Sequence, residues 1–114
     1  MNRAPIDKML FCPVTATVEV IAGKWKPRIL WHLRIGTAKF GELQRATAAS
    51  ERMLSKSLRE LEKDGIITRT VIVDGRVKTT QYDYSAYGRT LVPVLDAMGE
   101  WGFGQREINT PDDQ

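Results

Sequence analysis

The chain has 114 residues, with 17 Lys and Arg against 14 Asp and Glu, one cysteine and one histidine. That length suits one domain around one core, and 42% hydrophobic with 27% charged residues argues against wholesale disorder. No apolar run approaches the ~20 residues of a membrane span, and a lone cysteine with a lone histidine builds neither an internal disulfide nor a common zinc site.

The start, MNRAPIDKMLF, lacks the apolar core of a secretory signal, and residues 1–12 read as an N-terminal arm. Together these features predict a cytoplasmic protein with no membrane partner, no metal and no cofactor. Val14, Val18 and Ile21 recur at helical spacing, so residues 14–22 form a short helix ended near Gly23. A second helix follows in GKWKPRILWHLRIG, with Pro27 in its first turn, Trp25 stapled on Leu30, and Ile29, Leu30 and Leu33 inward. Residues 37–40 leave room for one bridge of strand. Residues 41–47 make a short helix with Leu43 and Ala46 inward.

Ser50 caps the strongest helical segment, residues 50–64, and Gly65 ends it. Leu54, Leu58 and Leu61 share one face; Arg52, Ser55, Lys56, Arg59 and Lys63 lie opposite. The period then falls to two. IITRTVIV and RVKTTQYDYS flank Asp74-Gly75, a two-residue hairpin signal that pairs Val73 with Arg76, Val71 with Lys78 and Ile67 with Tyr82. The hairpin has a basic tip and an apolar base. Ser85 caps a last helix over about 86–102, where Leu91, Val94 or Leu95, Met98 and Trp101 form an apolar stripe and Pro93 forces a bend or a late start. Residues 104–114 read as a frayed tail.

Charge is distributed unevenly. Residues 24–80 hold 13 basic and 6 acidic groups, whereas residues 81–114 hold 2 basic and 6 acidic. A basic middle with an acidic end suits a chain that meets a polyanion with one part and does something else with the other. The fold class is therefore mainly α with a small β-hairpin. The order short helix, charged helix, basic-tipped hairpin is that of a winged helix-turn-helix. In such a domain one helix enters the major groove of double-stranded DNA. The candidate base-reading residues are Ser50, Arg52, Ser55, Lys56 and Arg59. Arg76 and Lys78 at the hairpin tip suit the adjacent minor groove, and Lys24, Lys26 and Lys39 suit phosphates. No phosphate-binding glycine loop or nucleophile–base pair occurs, so an enzyme is not expected. A protein-binding winged helix with a merely solvated basic face is the rival reading.

The sequence also resembles the HxlR-type transcriptional regulators, a bacterial, MarR-like winged-helix family, from Cys12 to about Gly102. The resemblance rests on CPV (12–14), GKWKPRILWHL (23–33), KFGELQRA (39–46), RMLSKSLRELEKDGII (52–67) and YSAYGRTLVPVLDAMGEWG (84–102). It departs from the family at Thr47-Ala48-Ala49, one residue shorter than the usual turn, and in its tight hairpin. The resemblance implies a homodimer on a pseudo-palindromic operator, with residues 13–103 as the domain, 50–64 as recognition helix and 66–84 as wing. It places the dimer interface on the terminal helices, through Val14, Val18, Leu91, Leu95, Met98 and Trp101. It also marks Cys12 as a candidate oxidant or electrophile sensor; the other reading of Cys12 is a small packing residue. No effector ligand is named by the sequence.

Overall fold

The computed structural model describes residues 10–109, and their side chains through residue 106. The nine N-terminal residues of the expected arm and positions 110–114 of the expected tail lie outside the described residues. The described elements run α1 (Pro13–Ile21), α2 (Trp25–Leu33), β1 (Ala38–Lys39), α3 (Phe40–Thr47), α4 (Glu51–Lys63), β2 (Ile67–Asp74), β3 (Val77–Tyr84), α5 (Ala86–Arg89) and α6 (Val92–Asn109). The fold is mainly helical with a three-stranded antiparallel sheet of order β1-β3-β2.

Apolar spacing decides what is buried. Ile29, Leu30 and Leu33 of α2 meet Leu43 of α3 and Leu54, Leu58 and Leu61 of α4. Ile66, Ile67, Tyr82 and Tyr84 close this core from the base of the hairpin. The last turn of α2 needs partners for its free carbonyls. Trp31 O accepts from Arg34 N–H and the Arg34 guanidinium, and Leu30 O accepts the Tyr84 hydroxyl. That phenol is pushed up to about 12, chiefly by burial.

The turn between α3 and α4 is built without the expected inward Ala46, which is exposed. Thr47 takes the buried position instead, because its hydroxyl serves the backbone on both sides. It donates to Leu43 O at 2.7 Å and accepts from Ala49 N–H at 3.3 Å. Ala48 then adopts φ +62°, a left-handed residue that lets the chain reverse in a short turn. Ser50 caps α4 by accepting from Met53 N–H at 3.2 Å.

The hairpin register differs from the expected one. Val73 pairs with Lys78, Val71 with Thr80 and Ile67 with Tyr84, so the two-residue loop is Gly75-Arg76 rather than Asp74-Gly75. An Asp-Gly loop of the mirror-image type needs positive φ at both residues. A Gly-Arg loop needs it only at the first, and Gly75 supplies φ +62°. The shift is two positions, so each side chain keeps its face.

After β3, the Ser85 hydroxyl donates to Gly65 O at 2.6 Å and accepts from Gly88 N–H at 2.8 Å. Gly88 lies so close to Ile66 that a Cβ there would stand 1.9 Å from its carbonyl oxygen. The expected helix over 86–102 is two helices. The chain breaks at residues 90–91, and α6 starts with Pro93 in its first turn, where the missing N–H costs nothing. α6 continues through residues 104–109, which the sequence reading left in the tail.

α6 crosses α2 at Trp31. The Arg34 guanidinium lies 3.5 Å from the Trp31 ring centroid, Phe103 meets that ring edge-on at 6.3 Å, and Arg34 pairs with Asp96 at 2.7 Å. Gly99 gives the indole its space: a Cβ there would stand 2.3 Å from it. Leu95 turns inward and is 4% exposed, so it belongs to the chain's own core and not to the dimer interface expected of it. Leu91 also packs partly against the core. The outer surface of α6 carries Val94, Met98 and Trp101, the last 71% exposed, and α1 carries exposed Val14 and Val18.

Candidate nucleic-acid interface

α4 presents its charged side to solvent because its leucines fill the core. Arg52, Lys56 and Arg59 are exposed, Ser55 is half-buried, and Ser50 is exposed at the N-terminal cap. Glu51 in the first turn suits the positive end of the helix dipole.

Two grooves flank α4. On one side a groove of about 150 Å³ is bordered by Lys24, Trp25, Lys26, Lys56 and Glu60. Lys24 and Lys56 thus converge from two helices. The Lys24 ammonium stands 4.8 Å from the Trp25 ring centroid. Lys26 departs from its expected role. Its Nζ pairs with Glu60 Oε1 at 2.9 Å and its side chain is only 14% exposed, so it ties α2 to α4. The hydrogen bond from Lys26 and its charge hold the Glu60 carboxyl below its ordinary value. Lys39 is exposed at the start of α3, where its backbone N–H donates to Glu42 Oε1 at 2.7 Å, and it lines neither groove.

On the other side a groove of about 380 Å³ runs between α4 and the hairpin, lined by Ser55, Leu58, Arg59, Glu62, Arg69 and Tyr82. Burial pushes the Tyr82 phenol up, an effect that the charge of Arg69 opposes. Arg76 and Lys78 are exposed; strand alternation puts Lys78 on the sheet face that carries Arg69 and Tyr82, while Arg76 sits in the hairpin loop. Sequence reasoning passed over Arg69. The signal was present, since Arg69 is two residues beyond Ile67, whose apolar side chain marks the inward face. The hairpin also exposes Val71, Ile72, Val73 and Val77. Among the described residues no group of His, Cys, Asp and Glu could hold a metal ion, and no helix is long and apolar enough to cross a membrane.

Cys12 caps α1. Its Sγ accepts from Thr15 N–H at 3.4 Å, and this interaction with Thr15 lowers the thiol below its ordinary value. Cys12 is a free cysteine and is exposed.

A helix-turn-helix followed by a hairpin, with cations on the outer helix, now stands on geometry, and comparison with known proteins agrees. The sequence model described as HxlR-like helix-turn-helix matches residues 20–110. The chain belongs to that family. In Bacillus subtilis (strain 168), the uncharacterized HTH-type transcriptional regulator YybR is 41% identical over 98 residues, spanning 85% of this chain and 78% of YybR. YtcD of the same organism, also described as an uncharacterized HTH-type transcriptional regulator, is 46% identical over 90 residues, spanning 78% of this chain and 71% of YtcD. The structure of the redox regulator HypR in its reduced form superposes with a TM-score of 0.79 at 39% identity, covering 85% of this chain and 96% of HypR. This HxlR-like chain is thus a winged-helix transcriptional regulator by family, and its relatives and fold neighbours are regulators rather than enzymes.

Proposed function

We propose that this HxlR-like protein acts as a cytoplasmic homodimer that binds a pseudo-palindromic operator in double-stranded DNA, reading bases with α4 and bracing the adjacent groove with the hairpin. The observation that carries this reading is the convergence of cations from two elements. Arg52, Lys56 and Arg59 are exposed on α4; across the groove from Arg59 stands Arg69, with Lys78 on the same sheet face as Arg69 and Arg76 in the hairpin loop beyond it. An α-helix fits the major groove, and Arg and Lys match guanine O6 and N7. Lys24 and Lys39 suit phosphates, whereas Lys26 serves through its hold on Glu60.

The exposed Val14, Val18, Met98 and Trp101 support pairing of two copies through the terminal helices. Two-fold symmetry would then set two α4 helices about one DNA turn apart. HypR is a redox regulator, and that likeness, with the exposed and acidified Cys12 thiol, supports an oxidant- or electrophile-responsive role for Cys12.

A fluorescence titration of the DNA upstream of the protein's own gene, against scrambled competitor at fixed salt, tests the DNA reading. Tight binding to upstream DNA, lost in the Arg52→Ala/Arg59→Ala double variant, is the expected result; undiminished affinity of that variant refutes α4 as the reading helix. The four exposed apolar residues of the hairpin favour one rival, a protein-interaction module. Indifference of the wild-type chain to upstream DNA would decide for that rival. For Cys12, mild diamide should modify the thiol and change operator affinity. An unmodified thiol with unchanged affinity removes the sensing role.

A further inference from the structure

We propose that Arg59 and Arg69 form a two-guanidinium cleft that grips one backbone phosphate where a DNA strand passes between α4 and the hairpin. The inference rests on the DNA-binding reading above, adds to it a specific anion seat, and moves Arg59 within it from a base edge to a phosphate. A single sugar–phosphate strand separates the major groove from the minor groove beside it. A protein with a helix in one groove and a hairpin at the other therefore straddles that strand, and the space between the two elements is where it must pass. In this chain that space is the 380 Å³ groove.

The lining suits a phosphate. Arg59 and Ser55 form the α4 wall, Arg69 forms the β2 wall, and Leu58 and Tyr82 lie at the bottom. Among the described residues neither arginine belongs to an ion pair. The pairs found among the described residues are Lys26–Glu60, Arg34–Asp96 and Arg89–Asp83. Tyr82 stays a neutral phenol at physiological pH, because burial raises it. Tyr82 is the cross-strand partner of Arg69, so the arginine has a neutral neighbour in the lining. A guanidinium matches a phosphate with two parallel N–H donors, and two of them from different elements fix its place along the strand. Glu62 is the one acidic side chain in the lining, so the seat keeps a net positive charge while Glu62 opposes the anion.

The test titrates the full chain against its upstream DNA and against a set of duplexes in which one phosphate at a time is replaced by neutral methylphosphonate. Wild type should lose about 10-fold in affinity at one phosphate position per half-site. Arg69→Ala should lose about the same on unmodified DNA and nothing more on that one duplex. Its log-affinity against log-salt slope should be smaller by about 1, with base preferences unchanged. Arg69→Lys should keep the slope and recover part of the affinity, an outcome that loss of a merely structural side chain does not give. Glu62→Gln should bind more tightly. Urea unfolding of Arg69→Ala confirms that the variant is folded. An unchanged affinity and slope for Arg69→Ala, or losses that add to every methylphosphonate alike, would overturn the cleft while leaving operator binding intact. A wild-type chain that ignores the duplex altogether would overturn the operator reading and the cleft with it.

Discussion

Gly99 and Gly102 lie three residues apart in α6, and the same substitution should push stability in opposite directions at the two sites. Replacing an interior helical glycine by alanine gains ~1 kcal/mol of helix propensity at either position. At Gly102 the new methyl meets nothing within 4 Å, so the gain stands. At Gly99 it would stand 2.3 and 2.4 Å from two Trp31 ring atoms. The indole cannot easily withdraw, since Arg34 lies over the ring at 3.5 Å and Phe103 meets it edge-on. Overpacking of this kind costs ~1–3 kcal/mol. Gly99→Ala should therefore be neutral to ~2 kcal/mol less stable than wild type and ~1–3 kcal/mol below Gly102→Ala. Urea unfolding at one fixed protein concentration reads this as a midpoint gap of roughly 1 M at unchanged slope. In a Trp31→Val background the gap should close. Equal midpoints for the two alanine variants in the wild-type background would refute the packing of α6 on α2 through Trp31.

Ala48→Gly should stabilise the chain by ~0.5–1 kcal/mol in the same assay, because it relieves the left-handed strain at φ +62° and gives back only part in backbone entropy. Tyr84 predicts an alkaline limit. Its pKa is raised from 10 to about 12, so its contribution is complete below pH 10 and is lost as pH rises through 12. The loss is about 3 kcal/mol over that window. Tyr84→Phe should abolish that part of the pH dependence and cost ~1–3 kcal/mol at neutral pH by leaving Leu30 O without its donor. On α6, Trp101→Asp should leave the fold intact and convert the proposed dimer to a monomer in sedimentation velocity. Leu95→Asp, at a 4% exposed position, should unfold the chain instead.

The parts of the fold that follow a short period were legible in the sequence. Leu54, Leu58 and Leu61 fixed α4 and its core face, and the outward position of its cations followed. What local pattern does not carry is competition between solutions of nearly equal local merit. Asp74-Gly75 and Gly75-Arg76 both make a two-residue loop. The choice between them depends on which residue supplies positive φ and on the whole ladder down to Ile67 and Tyr84. Thr47 likewise looked like a polar helix end. It is buried because one hydroxyl can serve a carbonyl behind it and an N–H ahead of it, a pairing visible only once the turn is closed.

The candidate interface divides along the same line. The face of α4 is a property of one helix, and its residues could be named from spacing alone. Lys26 could not be assigned that way, since its partner Glu60 lies 34 positions on and arrives only when α4 docks on α2. Leu95 shared a stripe with Met98 and Trp101 in sequence, yet a stripe on a helix that crosses another helix has an inner and an outer edge. Trp31 and Gly99 set where α6 crosses, and that crossing turns Leu95 inward while Met98 and Trp101 stay outside. Arg69 is the opposite case. Once Ile67 is taken as the inward residue at the base of the hairpin, period-two alternation puts Arg69 on the same face one step farther out, where the core has ended and the helix opposite is α4. A cation at that step has no core to avoid and, among the described residues, no carboxylate paired with it. The polyanion that α4 is proposed to meet then becomes its natural counterpart.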